Sequence, residues 1–143
     1  MWYWPPCWLR LVPSSCERVS ISVLIVDDQQ PFRVAARDVI AAVDDFHVAG
    51  EAASGEQAVE MAARLQPDLV LMDIHLPGID GFEASSRIRR QCPTTVVILL
   101  SASEPRRDQR ESLATGGHAQ AYLPKASFQP GLLKEIWDAA RLQ

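Results

Sequence analysis

Three carboxylates in this 143-residue chain come directly after runs of apolar residues. Val23-Leu24-Ile25-Val26 leads into Asp27-Asp28, and Leu69-Val70-Leu71-Met72 leads into Asp73. Two more polar groups share the pattern: Ser101 follows Leu99-Leu100, and Lys125 follows Tyr122-Leu123-Pro124. Brought together, the three acids could not all stay ionised without a counter-charge. A hard divalent cation such as Mg2+, held by one or two carboxylates and otherwise hydrated, resolves this. An ammonium and a hydroxyl beside it suit a phosphoryl group, whose oxygens need neutralising and hydrogen bonding. Asp73 would then be a nucleophile forming an acyl phosphate. Taken singly, each residue has a plainer use. Asp27-Asp28 could cap a helix, Asp73 open a turn, Lys125 lie along the surface and Ser101 sit in a loop. The chemistry rests on their joint pattern.

The elements that must position these groups follow from periodicity. An unalternating apolar run closed by a turn reads as a strand covered on both faces. Residues 20–26, 68–73 and 94–100 have this character, the last being the most β-prone. Residues 46–52 and 119–123 read as weaker strands, and the mixed make-up of 46–52 places it towards an edge. Helical spacing fills the intervals. Pro31 suits an early helical position, with Phe32, Ala35, Ala36, Val39, Ile40 and Val43 at helical spacing. Ser54 with Gln57 reads as a capping box opening a helix that buries Ala58, Met61, Ala62 and Leu65 and stops at Pro67. Asp80 caps a third helix with Glu83 three residues on, carrying Phe82 and Ile88 inward and ending at Pro93. A fourth helix spans 106–114, closed by Gly116-Gly117. Ser127 caps the last, with Leu132, Leu133, Ile136 and Ala140 on one face.

Strands alternating with helices define the α/β class and a doubly wound, five-stranded parallel sheet. Right-handed crossovers leave few topologies, of which the flavodoxin-like (βα)5 order 2-1-3-4-5 is the commonest at this size. Strands 1 and 3 are then neighbours at the point where winding reverses. Asp27, Asp28 and Asp73 therefore converge at the carboxyl ends, where such sheets bind ligands.

Composition narrows the function. With 48% hydrophobic and 22% charged residues the chain is an ordinary globular protein, not a disordered one. A formal charge of -4 argues against a nucleic-acid surface. Arg87, Arg89 and Arg90, with Arg106, Arg107 and Arg110, read as solvated helix faces. Trp137 could anchor an interface or pack on the sheet. The three cysteines make neither a disulfide framework nor a zinc spacing, which fits a reducing cytosol. Residues 1–19 stand apart, with Trp2, Trp4 and Trp8 among prolines. No charge precedes Arg10 and prolines break the apolar stretch, so this is no signal peptide, and it is too short for a membrane span. The expected organisation is an N-terminal extension over 1–19, disordered or ahead of the true start, and one domain over 20–143.

Val23-Leu24-Ile25-Val26-Asp27-Asp28, Leu71-Met72-Asp73-Ile74-His75-Leu76-Pro77-Gly78-Ile79-Asp80-Gly81, Ser101-Ala102 and Tyr122-Leu123-Pro124-Lys125, in that order, resemble the receiver domain of two-component response regulators. The resemblance covers residues 20–143. It implies that Asp73 is the phosphoacceptor, charged by a histidine kinase or phosphotransfer protein. It makes Asp28 a direct Mg2+ ligand beside Asp73, Asp27 an acid acting through metal-bound water, and the His75 backbone carbonyl a further ligand. Ser101 would be the switch hydroxyl, Lys125 the partner of the phosphoryl group, and Tyr122 the aromatic that turns inward as Ser101 moves. Output would run through the face of the fourth helix, fifth strand and last helix, reaching a downstream protein or a second copy in a homodimer. Such a protein is cytoplasmic and catalyses only its own phosphotransfer and dephosphorylation. Two departures stand out: a proline precedes the lysine where many receivers have one after it, and the 101–125 segment is slightly long. Only three residues follow the last helix, so no DNA-binding module is expected here. The chain either works through protein partners or is a piece of a longer regulator. Two rivals remain. A small Mg2+-dependent phosphohydrolase would usually carry a second acid where His75 stands. An unphosphorylated pseudo-receiver scaffold would usually have lost an acid or the lysine.

Overall fold

The computed structural model describes residues 20–103, 107, 108, 111 and 121–141. β1 (Ile21–Val26), β3 (Leu69–Asp73) and β4 (Val96–Ser101) are buried along their whole length, as unalternating apolar runs require. β2 (Phe46–Ala52) and β5 (Ala121–Pro124) form the edges. The order is β2-β1-β3-β4-β5 and every pair is parallel, the flavodoxin-like arrangement expected.

Side-chain parity divides the core into two layers. Val23, Ile25, Leu71, Ile98 and Leu100 face α1 (Gln30–Ala41) and the C-terminal helix (Pro130–Ala140), meeting Ala36, Ile40, Leu133 and Trp137. Leu24, Val26, Val70, Met72 and Leu99 point the other way, onto Ala58 and Ala62 of α2 (Gly55–Leu65) and Ala84 and Ile88 of α3 (Gly81–Gln91). Each fully buried Val, Leu or Ile contributes roughly 1.5–3 kcal/mol. These layers hold the strand ends, and the acids on them, in place.

Several local expectations are corrected. β4 begins at Val96, because Thr95 is held in a turn: its amide donates to Cys92 O at 3.0 Å and its hydroxyl to Pro67 O at 2.9 Å. Turn hydrogen bonds there outweigh β-propensity. Ser127 is not a helix cap. It lies in a short 3-10 turn, Lys125–Ser127, and the C-terminal helix starts behind Gln129 with Pro130 setting the first turn. Ser54 Oγ accepts from Gln57 N as expected, but Gln57 Oε1 accepts from Ala53 N, one residue earlier than in a capping box. Leu65 is 36% exposed, at the rim, where it and Met61 lie over Gly50 of the edge strand. Ala35 is also exposed. Trp137 packs inward, its ring edge-on to Phe46 at 6.2 Å. Cys92 is buried and disulfide-bonded, which a reducing compartment does not lead one to expect; a single bridge is still no framework. Of the expected helix over 106–114, residues 107, 108 and 111 are helical; the rest of it, Gly116-Gly117 and residues 1–19 lie outside the described residues. Among the described residues, no helix is long and apolar enough to cross a membrane.

Candidate functional site

β1 and β3 pair with Val26 opposite Met72, so the next residue on each, Asp27 and Asp73, stand side by side at the strand ends. Asp28 joins them: one carboxylate oxygen from each of the three lies within 4.8 Å of the others. Asp27 is fully buried and Asp28 exposed. Asp27 is tied down on three sides. Its amide donates to Ala52 O at 3.0 Å, its Oδ1 accepts from Gln29 N at 2.8 Å, and its carbonyl accepts from Arg33 Nη1 at 2.7 Å. Its Oδ2 forms an ion pair with the ammonium of Lys125 at 2.5 Å.

Lys125 arrives from the far edge, just past β5, and serves both buried acids. Its Nζ is 3.4 Å from Asp73 Oδ2 and 4.5 Å from the centre of the Phe32 ring, a cation–π contact that lines its path. Asp73 Oδ1 accepts from the His75 amide at 3.2 Å, while the His75 ring is exposed. Burial pushes the Asp73 carboxyl above the ordinary carboxylate range, with the charge of Asp27 adding to it; Lys125 and the His75 amide pull the other way. Three carboxylates thus face one ammonium, which leaves surplus negative charge at the strand ends. An all-oxygen donor set with surplus negative charge suits a hard divalent cation such as Mg2+.

The loop after β3 is clamped from α2. Glu56 Oε1 accepts from Ile79 N at 3.0 Å, and this bond holds the Glu56 carboxyl below its ordinary range. Gly78 has φ +76, where a side chain would be strained and would run into the Glu56 carboxylate.

Ser101 and Tyr122 are near this cluster in the fold but not bonded to it. Ser101 ends β4, the strand beside β3, and is 1% exposed. Its hydroxyl donates to Ser103 O at 2.8 Å, and the Tyr122 hydroxyl donates to the same atom at 3.0 Å. The structure therefore brings together Asp27, Asp28, Asp73 and Lys125, with the His75 backbone alongside, and leaves Ser101 and Tyr122 hydrogen-bonded at Ser103.

The family model of the response regulator receiver domain matches residues 23–137. This chain belongs to that family. The receiver is 34% identical to the nitrate/nitrite response regulator NarL of Escherichia coli K12 over 119 residues, which are 83% of this chain and 54% of the relative. It is 32% identical to the response regulator VraR of Staphylococcus aureus Mu3 over 123 residues, 86% of this chain and 56% of the relative. The chain spans about half the length of the curated relatives it matches. Among solved structures, the response regulator domain of Thermotoga maritima CheB matches with a TM-score of 0.74 and 32% identity, covering 87% of this chain and 98% of that one. The receiver domain of the putative response regulator NarL from Mycobacterium tuberculosis matches with a TM-score of 0.76 and 28% identity, covering 87% and 98%.

Sequence reading of this receiver missed Arg33, Phe32 and Glu56 as parts of the site. Arg33 carried a signal: a cation set between Phe32 and Ala36 on the first turns of α1, five residues past Asp28. Glu56 carried none, because its partner lies 23 residues away.

Proposed function

We propose that this receiver accepts a phosphoryl group on Asp73 from a histidine kinase or phosphotransfer protein, and that the new charge resets its partner-binding face. The observation that supports this most is the position of Asp73: a buried acid whose Oδ2 is 3.4 Å from Lys125 Nζ and whose neighbours are Asp27 and Asp28. In the transfer, an Asp73 carboxylate oxygen attacks phosphorus; the O–P bond forms as the P–N bond to the donor histidine breaks, and the imidazole leaves. Asp28 and Asp73, with Asp27 behind them and the His75 carbonyl beside them, would hold Mg2+. Bound there, Mg2+ supplies neutralisation of the phosphoryl oxygens. Lys125 pairs with one oxygen, and Ser101 gives up Ser103 to hydrogen-bond another, leaving Tyr122 as the sole hydroxyl on the Ser103 carbonyl until it turns inward. The phosphoryl group then biases a two-state arrangement that a downstream partner, or a second copy, reads through the face of the fourth helix, β5 and the C-terminal helix. The receiver acts in the cytoplasm, catalyses only its own phosphotransfer and dephosphorylation, and occupies residues 20–143, with 1–19 as an extension.

Incubation with acetyl phosphate and Mg2+ tests this. The expected result is a mass gain of one phosphoryl group, absent in Asp73→Asn, with no turnover of general phosphomonoesters. Steady hydrolysis of such esters would replace the proposal with a phosphohydrolase, and no uptake at all with a pseudo-receiver scaffold.

A further inference from the structure

Arg33 is a cation whose own charge works against the site it adjoins. From the first turn of α1 its guanidinium reaches back across the end of β1. Nη1 donates to the carbonyl of Asp27 at 2.7 Å, and Nε pairs with Glu51 Oε1 on the edge strand at 3.3 Å. Its side chain is only 18% exposed. Arg37, 47% exposed, pairs with the other oxygen of Glu51 at 3.2 Å, out on the edge strand. Since Ile25 is paired with Glu51 and Val26 with Ala52, the guanidinium spans the ends of two neighbouring strands and the helix that follows the first.

The consequence falls on Asp27. Its amide is held by Ala52 and its carbonyl by Arg33, which fixes the peptide planes on either side of its α-carbon. The Gln29 amide holds Oδ1. Oδ2, buried, is left to pair with the Lys125 ammonium, which also lies against Asp73, so it is the oxygen turned towards the acid cluster. We infer that Arg33 is a positioning residue for the cation site: it holds Asp27 so that Oδ2 stays directed at the place where Mg2+ and the phosphoryl group are to sit. The inference rests on the proposed Mg2+ site. A guanidinium can make the two directed contacts at once, whereas a lysine at this position keeps the charge and loses the fork.

Charge and geometry predict opposite signs, which makes the test decisive. Mg2+ affinity is measured by calorimetry on the full chain and on Arg33→Lys, Arg33→Met, Arg37→Met and Glu51→Gln. If Arg33 positions Asp27, both Arg33 variants bind Mg2+ about 10-fold or more weakly, as loss of an outer contact to a metal ligand typically does. Arg37→Met binds as well as the parent or slightly better, and Glu51→Gln, which leaves the fork without its anchor, falls between. Amide exchange at Gln29, read without metal, is faster in Arg33→Lys. If only charge matters, Arg33→Met binds more tightly and Arg33→Lys is unchanged, and the inference is overturned. Should the Arg33 variants not fold, amide exchange at Gln29 in Glu51→Gln without metal decides, since charge alone does not move it: protection equal to the parent overturns the inference. A parent chain that binds no Mg2+ overturns the metal site itself, a result distinct from parental binding that the variants share.

Discussion

Ser101 and Tyr122 donate their hydroxyls to one oxygen, the carbonyl of Ser103, at 2.8 and 3.0 Å. A carbonyl oxygen has two lone pairs and can accept both. Reorientation of Ser101 towards a phosphoryl group would leave Tyr122 alone on that acceptor, so the two residues proposed to switch share one anchor. Unfolding free energies of Ser101→Ala, Tyr122→Phe and the double variant should be non-additive by about 0.5 kcal/mol or more. Strict additivity would mean that Ser103 does not couple them.

Asp73 holds its proton more tightly in the folded chain than an ordinary carboxyl does, chiefly because it is buried and next because of Asp27. The native state therefore binds more protons than the unfolded one between the ordinary carboxylate value and the raised native value. Stability falls as pH rises through that window. Asp73→Asn should raise the melting temperature by a few degrees at neutral pH, and the gain should fade in acid below the ordinary carboxylate range. Melting curves of both proteins across pH check this; a gain of constant size would point to packing instead.

Lys125 forms ion pairs with both Asp27 and Asp73, and its side chain is 13% exposed. Replacing it with methionine leaves two adjacent buried acids uncompensated. The expected loss is about 2 kcal/mol, below the 3–5 kcal/mol typical of a fully buried pair, because some solvent reaches the site. Mg2+ should restore most of that stability and bind Lys125→Met more tightly than the parent, since it no longer competes with the ammonium. Urea unfolding with and without Mg2+ measures both effects.

Two glycines near Asp73 should respond differently to alanine. A Cβ at Gly81 would lie 2.3 Å from the Asp73 carbonyl oxygen and 2.8 Å from Ile74 Cα, both backbone atoms. A Cβ at Gly78 would meet only the end of the Glu56 side chain, which can swing away, although φ +76 is itself unfavourable. Gly81→Ala should therefore cost about 2–3 kcal/mol and Gly78→Ala about 1 kcal/mol. Denaturant midpoints of the two variants rank them, and the reverse order would show that α3 can retreat from β3.

Much of the frame was readable from runs of like residues. Val23 to Val26 and Leu69 to Met72 are apolar without alternation, and a strand can be so only when both its faces are covered. That reasoning led to the buried β1 and β3, the parallel order and the meeting of Asp27 with Asp73. It misjudged the start of β4, where the β-propensity of Thr95 was overruled by its bonds to Cys92 and Pro67, and Ser127, where Pro130 made a cap unnecessary.

By itself, then, the amino-acid order determined which residues end each strand and hence that Asp27, Asp28 and Asp73 share one edge, because periodicity is written in neighbours two to four positions apart. Only the tertiary structure decided that Lys125 lies against Asp27 Oδ2, that Ser101 and Tyr122 turn to Ser103, and that Arg33 grips the Asp27 carbonyl. Those choices belong to side chains that could rotate in several directions. The selection is made by whichever partner the packed helices and strands bring within hydrogen-bonding reach, as when Lys125 meets Asp73 across 52 positions of chain.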